Sequence, residues 1–153
     1  DGQVEKRYLC LLQGRLPEAV VEVDAPLRRV APEGRDRVMA VMPDGKPART
    51  RFRLLDSWPD ASYVEAELLT GRTHQIRVHA LHLGMPLAGD TKYASKASCK
   101  RWRALGLKRI FLHAHALRLE RPGGGSLDVQ APLPDTLRVV LDSLERGDFL
   151  QPD

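Results

Sequence analysis

Side chains that can bind an anion or form hydrogen bonds are concentrated in residues 68–79, which read LLTGRTHQIRVH. This stretch holds two arginines, two histidines and a glutamine, and it lies where a strand pattern gives way to a helical one. The first backbone N–H groups of a helix have no partner within the helix, so they favour a negative charge nearby. The types and spacing of these residues therefore indicate a site for a carboxylate or a phosphate.

Arg77 is the side chain in this stretch with the greatest need of a partner. The pattern predicts a helix that Thr73 caps and that Gly84 and Pro86 end. Its apolar stripe consists of three residues at i, i+4 and i+7, namely Ile76, Ala80 and Leu83. Arg77 lies at the edge of that stripe, where a guanidinium stays charged and requires a carboxylate or a phosphate. From the residues alone, an ordinary structural salt bridge is as acceptable as a functional role.

The histidines give little reason to predict a metal site. His74, His79 and His82 lack the i, i+4 pair of a helical zinc site, and their nearest carboxylates lie in other elements. Ordinary surface positions on a helix would also account for these three histidines. His113 and His115 share one face of a predicted strand, where buried, hydrogen-bonded histidines are the usual finding.

The elements that must position this stretch are mostly strands. An apolar run in residues 7–14 predicts one strand, and a β-branched run in residues 19–27, stopped by Pro26, predicts another. Residues 50–54 and 63–68 alternate polar and apolar side chains, which predicts two half-exposed strands joined as a hairpin.

The remaining pattern adds two helices and two strands. Residues 95–105 read as a basic helix, and residues 110–134 read as two strands around a triple glycine. A closing helix in residues 134–147 has an apolar stripe of four residues, namely Leu137, Val140, Leu141 and Leu144. About six strands and three helices are predicted in all. They indicate an α+β fold with a mixed, largely antiparallel sheet and flanking helices.

Charge is unevenly distributed along the chain. Its 153 residues, enough for one domain, carry a net charge of +4 and a pI of about 9.3. Residues 91–119 contain eight basic side chains and no acidic one, whereas residues 128–153 contain six acidic side chains. A basic surface that faces phosphates has this segregation, although a solvated helix face would have it too. Two cysteines without CxxC spacing argue against a zinc ribbon and a disulfide scaffold. No run is apolar enough to span a membrane, and a cytoplasmic protein is expected.

Longer segments of the chain resemble a known family. The segment LLTGRTHQIRVHALHLGMPLAGDTKYAS, followed by FLHAHALRLERP, resembles the Rlu-type pseudouridine synthases, which isomerise uridines in ribosomal RNA. The segment DGKPARTRFRLL is similar to the RluC-like group, which acts on the large subunit. The resemblance extends from Lys6 to about Leu144. Its most specific feature is the GRTHQIRVH core with a GDxxY segment that starts 18 residues after the first glycine of that core.

The resemblance implies a reaction and two catalytic residues. An aspartate attacks the nucleoside and breaks the N-glycosidic bond, and the freed uracil turns and reattaches through C5, without cofactor or metal. Tyr8, in Lys6-Arg7-Tyr8, matches the tyrosine that stacks on the target base, and Arg77 matches the arginine that pairs with the aspartate. Without the resemblance, Tyr8 would be taken as a core aromatic. Further residues are expected to shape the cleft or bind the RNA: Arg72, Thr73, His74, Gln75, Lys92, Tyr93, Lys96, Lys100, Arg101 and Arg103.

The aspartate motif of the family, R-L-D followed by a Thr-Ser-Gly-like stretch, does not occur in this chain. Residues 15–17 read RLP, and Asp56 in RLLD has the wrong spacing. We therefore expect the chain to be the C-terminal part of a catalytic domain, without the aspartate segment and the N-terminal RNA-binding domain of many members. The isolated chain should be inactive, and Arg77 should lack its partner and be solvated, disordered or bound to another anion. The partner is expected to be ribosomal RNA of the 23S type, and the intact protein a monomer.

Three other interpretations remain open at the level of sequence. A non-catalytic RNA-binding module would also explain the basic segment and the missing aspartate. A synthase that acts on transfer RNA would have the same motifs. A metal hydrolase that uses the histidines would require bound zinc.

Overall fold

The computed structural model describes residues 4–148, which form an α+β fold of eight strands and three helices. The strands are β1 (Val4–Gln13), β2 (Val20–Asp24), β3 (Leu27–Val30), β4 (Val38–Val41), β5 (Arg49–Trp58), β6 (Ala61–Leu68), β7 (Leu112–Glu120) and β8 (Ser126–Gln130). The helices are α1 (Gln75–His82), α2 (Lys96–Ala104) and α3 (Asp135–Glu145). The predicted fold class is confirmed. No helix in residues 4–148 is long and apolar enough to cross a membrane.

Six of the strands form one sheet in the order β2-β5-β6-β1-β7-β8, and β3 and β4 form a separate hairpin. All neighbours in both sheets are antiparallel. The predicted hairpin of residues 50–68 is β5 and β6, and the triple glycine joins β7 to β8 as predicted. Strand β1 lies inside the sheet, between β6 and β7, so its residues are held by hydrogen bonds on both sides.

The core has two layers because alternate residues of β1 point to opposite faces of the sheet. Leu9 and Leu11 face a cluster that includes Trp102 of α2 together with Leu137, Val140 and Leu144 of α3. Cys10 and Leu12 face a second cluster, which includes Ile76 and Ala80 of α1. The middle of the sheet is thus buried on both faces, and α1 packs over the face that also carries Tyr8.

Two details of the sequence prediction are wrong. The strand predicted to stop at Pro26 is β2, which ends at Asp24, but β3, which begins at Leu27 just after that proline, was not predicted. With the hairpin β3–β4, this raises the strand count in residues 4–148 above the predicted six. Thr73 does not cap α1. The N-cap is His74, which has φ 54° and makes no capping hydrogen bond through its side chain.

Candidate active site

Tyr8 lies beside a β-bulge. The register between β1 and β7 shifts at Arg7 and Tyr8, and such a shift re-aims the neighbouring side chains. Tyr8 is half-buried and lines a cavity of about 230 Å³. The cavity is lined by Tyr8, Leu68, Arg72, His74, Gln75, Ile76, Arg77 and Leu112. Four predicted site residues, Tyr8, Arg72, His74 and Arg77, are therefore brought together although they are up to 69 positions apart in the sequence.

The side chain of Gln75 stabilises the turn between β6 and α1 that carries Arg72 and His74. Its side-chain oxygen accepts hydrogen bonds from the Thr70 hydroxyl (2.7 Å) and the Arg72 N–H (3.0 Å). Its amide nitrogen donates to the Arg49 carbonyl (2.7 Å) and the Thr50 hydroxyl (2.9 Å). Gln75 is 2% exposed, and these four hydrogen bonds satisfy both the oxygen and the nitrogen of its buried amide. Gln75 thus fastens the start of α1 to strand β5.

Arg77 has a carboxylate partner in this chain, so the prediction that it lacks one is wrong. Its Nε and Nη2 donate to the two carboxylate oxygens of Asp90, at 2.9 Å and 2.7 Å. Asp90 is fully buried, whereas the Arg77 side chain is 21% exposed. Asp90 also accepts hydrogen bonds from the backbone N–H groups of Lys92 (3.0 Å) and Tyr93 (3.1 Å). The hydrogen bonds that Arg77 donates to Asp90 raise the pKa of Arg77, which is a permanent cation.

Tyr93 contacts Met39 of β4, His74 and Arg77. Its hydroxyl accepts a hydrogen bond from the Met39 N–H of β4 (3.0 Å) and lies 2.8 Å from Nδ1 of His74. The guanidinium carbon of Arg77 is 5.1 Å from the centre of the Tyr93 ring, a cation–π distance. Burial, with a contribution from Arg77, lowers the pKa of His74, so Nδ1 of the neutral ring accepts a hydrogen bond from the Tyr93 hydroxyl. Burial also raises the pKa of Tyr93, which keeps its hydroxyl protonated.

A second hydrogen-bonded chain lies deeper in the core, around His79. The Thr50 hydroxyl, which accepts from Gln75, donates to Nδ1 of His79 at 2.7 Å. Nε2 of His79 then donates to the Ala25 carbonyl at 2.9 Å. Both assignments require a neutral ring with its proton on Nε2. Burial lowers the pKa of His79 and so favours that neutral form. His79 is fully buried, which excludes the surface position that the sequence left open.

The predicted RNA-binding residues of α2 are only partly connected to this cavity. Arg103 lines an adjacent cavity of about 290 Å³, which it shares with Arg77, Lys108 and Arg109. Lys96 and Lys100 are exposed and Arg101 is half-buried, but they line neither of these two cavities. Lys92 lines a third cavity of about 580 Å³ between the hairpin β3–β4 and α1.

Two groups of residues were missed by the sequence reasoning. Asp90 was read only as part of the GDxxY segment, although a buried carboxylate within that segment is the partner that Arg77 required. Arg28, Arg29 and Lys46 form a cationic groove of about 390 Å³ with Arg72, and only their positive charge could have indicated it. By contrast, His113 and His115 are hydrogen-bonded and partly buried as expected, to the Ala131 carbonyl (3.0 Å) and to Glu65 (2.7 Å).

Comparison with known proteins decides the family. A family model described as RNA pseudouridylate synthase matches residues 1–82, just over half of the chain. The chain belongs to the RNA pseudouridylate synthase family. An uncharacterized RNA pseudouridine synthase of Chloroflexus aurantiacus is 48% identical over 145 residues, which are 94% of this chain and 43% of that protein. Ribosomal large subunit pseudouridine synthase C of Yersinia pestis is 40% identical, over 94% of this chain and 45% of that protein.

A solved structure supports the same family. Human RNA Pseudouridylate Synthase Domain Containing 1 superposes with a TM-score of 0.74 at 30% identity, over 98% of this chain and 68% of the human one. This chain spans less than half the length of the Chloroflexus aurantiacus and Yersinia pestis relatives.

The arrangement places an aromatic ring and a cation on the wall of one cavity. Tyr8 offers an aromatic face, and Arg77 offers a fixed cation on the wall of the same cavity. Among the residues that line this cavity there is no carboxylate. Asp90 cannot serve as a nucleophile in this conformation, because it is fully buried and accepts four hydrogen bonds from Arg77 and two backbone N–H groups.

Proposed function

We propose that this chain is part of the catalytic domain of an RNA pseudouridine synthase whose nucleophilic aspartate lies outside these 153 residues. The observation that carries the proposal is that Tyr8 and Arg77, distant in sequence, line one cavity that contains no carboxylate. Membership of the RNA pseudouridylate synthase family supports the reaction type. The length of the relatives beyond the matched region leaves room for the missing group.

The reaction is an isomerisation in which atoms are rearranged and none are added. The aspartate attacks the nucleoside, and the N-glycosidic bond breaks. The freed uracil turns, and C5 forms a bond to C1′ of the ribose as the bond from C1′ to the aspartate breaks. C5 then loses its proton and N1 gains one, so the composition is unchanged. The target uridine must first leave its stack to enter the cavity. The ring of Tyr8 stacks on the face of the uracil, a contact that by analogy with other stacking platforms contributes about 1–3 kcal/mol.

The role of Arg77 is to hold the aspartate as an anion. Desolvation beside a bound base would raise the pKa of a carboxyl group, and an adjacent guanidinium opposes that effect. Asp90 engages Nε and Nη2 of Arg77, which leaves Nη1 for a second carboxylate. A guanidinium nitrogen beside that second carboxylate favours its ionised form, which is the nucleophile. Asp90 is therefore a positioning residue that fixes the direction of the guanidinium.

The proposed substrate is ribosomal RNA of the large subunit, of the 23S type, modified in the cytoplasm by a monomeric protein. The support is the similarity to the ribosomal large subunit synthase of Yersinia pestis and the basic residues that line the cavities around Arg77. The residues proposed to contact RNA are Arg72, His74, Lys92, Tyr93, Lys96, Lys100, Arg101 and Arg103. Of these, Arg72 and His74 line the Tyr8 cavity itself.

The test is a map of pseudouridines in the RNA of a strain that lacks the gene. Loss of specific large-subunit sites, restored by the wild-type gene and by the exposed-residue control His82→Gln but not by Tyr8→Leu, is the expected result. Loss of sites in transfer RNA alone would overturn the substrate but keep the reaction. An unchanged map in both RNA classes would favour a non-catalytic RNA-binding module and overturn the proposal.

A further inference from the structure

A group of exposed apolar side chains lies at one corner of the large sheet, where β1 begins beside β7 and β8. We call it the Leu117 patch, and it consists of Val4, Leu117, Leu119, Leu127 and Val129. The side chains of Val4 and Val129 are among the most exposed large apolar groups of residues 4–148, at 46% and 48%. Leu117 and Leu127 are 38% and 40% exposed. A contiguous patch of this kind marks an interaction surface more often than scattered apolar residues do.

The strand register places the whole patch on one face of the sheet. Val4 lies opposite Leu119, and Lys6 lies opposite Leu117. In the next pair of strands, Leu119 and Leu117 lie opposite Leu127 and Val129. Residues that are directly opposite one another in an antiparallel pair have their side chains on the same face.

That face is the one that carries Tyr8. Side chains alternate along β1, so Val4, Lys6 and Tyr8 share a face, with about 7 Å between successive members. Helix α1 covers this face over β5, β6 and the later part of β1, where Cys10 and Phe52 are buried. The cover stops near Tyr8, so Tyr8 lies at the boundary between the covered core and the Leu117 patch.

The opposite face of the same strands has the composition of a solvent-exposed surface. It carries the ion pairs Arg7–Glu5 (3.5 Å) and Arg118–Asp128 (3.8 Å), whose side chains are 41% or more exposed. Apolar and polar residues thus alternate along β7 and β8 as in strands with one buried face. In residues 4–148 no element covers the apolar side of that alternation.

We infer that the Leu117 patch is the seat of the part of the catalytic domain that carries the nucleophilic aspartate. This inference rests on the proposed function. The two curated relatives carry more than half of their length outside the region that matches this chain, which supplies a segment of sufficient size. A segment seated on the patch lies next to Tyr8 on the same face, and it can reach the open nitrogen of Arg77 across the Tyr8 cavity.

The test compares one substitution in two lengths of protein. Val129→Glu places a charge on the patch, and Val20→Glu is its matched control, because Val20 is 45% exposed on β2 at the opposite edge of the sheet. In the 153-residue chain, neither substitution should change the melting temperature, because both side chains are already exposed. In the intact protein, Val129→Glu should lower the melting temperature by several degrees and Val20→Glu should not. Equal effects of the two substitutions in the intact protein would overturn the inference.

Amide hydrogen exchange supplies a second readout that does not depend on activity. The amide protons of residues 112–130 should exchange at least about tenfold more slowly in the intact protein than in the 153-residue chain. Equal exchange would overturn the inference. So would protection that the 153-residue chain already gains by self-association, because the occupant would then be a second copy. An intact protein with a protected patch but no pseudouridine formation would overturn the proposed function and leave the covered surface in place.

Discussion

At the scale of single residues, the site is organised by one buried ion pair. Arg77 requires a partner because a guanidinium cannot lose its charge, and Asp90 provides one through two parallel hydrogen bonds. Asp90 is in turn held by the N–H groups of Lys92 and Tyr93, so the direction of the guanidinium is set by backbone atoms. The sequence predicted the need for an anion at Arg77. It did not predict the partner, because spacing does not reveal which loop packs against a helix.

Removal of Arg77 should therefore cost stability as well as function. Arg77→Ala leaves Asp90 buried without its cation, and we expect the free energy of unfolding to fall by about 3 kcal/mol. The control is Asp128→Asn, which breaks the exposed pair with Arg118 and should have no measurable effect. Urea denaturation of the 153-residue chain measures both. A loss for Arg77→Ala no larger than that of the control would contradict the buried pair.

His79 should make stability depend on pH. Burial lowers its pKa in the folded state, so below the ordinary histidine value of about 6.5 the unfolded state binds more protons than the folded state. The contribution of His79 is complete above that pH and is lost as the pH falls toward the lowered pKa. Its slope cannot exceed about 1.4 kcal/mol per pH unit. The free energy of unfolding between pH 7.5 and 5 should fall less steeply in His79→Gln than in the wild type. His82→Gln, which removes only a smaller charge effect on His79, should change the slope less.

At the scale of elements, the junction between β6 and α1 is fixed by a side-chain amide in place of a normal helix cap. His74 occupies the N-cap position in a left-handed conformation and caps nothing through its side chain. Gln75 binds Thr70 and the Arg72 N–H on one side and strand β5 on the other. His74 thus lies between Arg72 and Gln75, which are both held by hydrogen bonds. Such strain persists only where its surroundings determine the conformation, as they do beside this cavity.

Loss of the Gln75 amide should loosen this junction. Gln75→Leu removes four hydrogen bonds and leaves the Thr70 and Thr50 hydroxyls without their buried partner, so we expect a loss of about 3 kcal/mol in the free energy of unfolding. Gln130→Leu, on the exposed strand β8, is the matched control and should change stability little. Denaturant unfolding tests the pair, and similar values for the two variants would rule out the anchoring role.

Much of the element pattern could be predicted from the sequence, because it depends on local periodicity. The hairpin of β5 and β6 follows from alternation, and α3 follows from a stripe that indeed buries Leu137, Val140 and Leu144. The start of α1 could not be predicted, because Thr73 satisfies the capping preference and the deciding contacts of Gln75 are tertiary. The second strand of residues 19–41 was missed for a similar reason: Pro26 was read as an end and not as a corner between two sheets.

At the scale of the whole molecule, positive charge surrounds the Tyr8 cavity on several sides. Arg103, Lys108 and Arg109 share a cavity with Arg77 on one side, and the hairpin β3–β4 presents Arg28 and Arg29 on another. The acidic end of the chain forms α3, which packs on the opposite face of the sheet. The basic side chains that line the cavities beside α1 suit a polyanion bound on that side.

This distribution predicts how RNA binding depends on salt. If Lys96 and Lys100 contact phosphates, replacing both with glutamine should make the plot of log binding constant against log salt about 1.4 less steep for single-stranded RNA. Arg138→Gln with Arg146→Gln, the same loss of charge on and next to α3, should leave the slope unchanged. Fluorescence anisotropy at four or more salt concentrations measures the slope. Equal changes in both double variants would mean that only net charge matters.

We propose a divided active site, in which this chain contributes the cation and the stacking ring and another part of the protein contributes the nucleophile. Release of tritium from large-subunit RNA labelled at C5 of uridine tests it most directly, with the intact protein, its Tyr8→Leu variant and the purified 153-residue chain side by side. We expect release by the intact protein, strongly reduced release by Tyr8→Leu, and none above background by the 153-residue chain alone. Turnover by the 153-residue chain would contradict it, because the nucleophile would then lie among the residues described here.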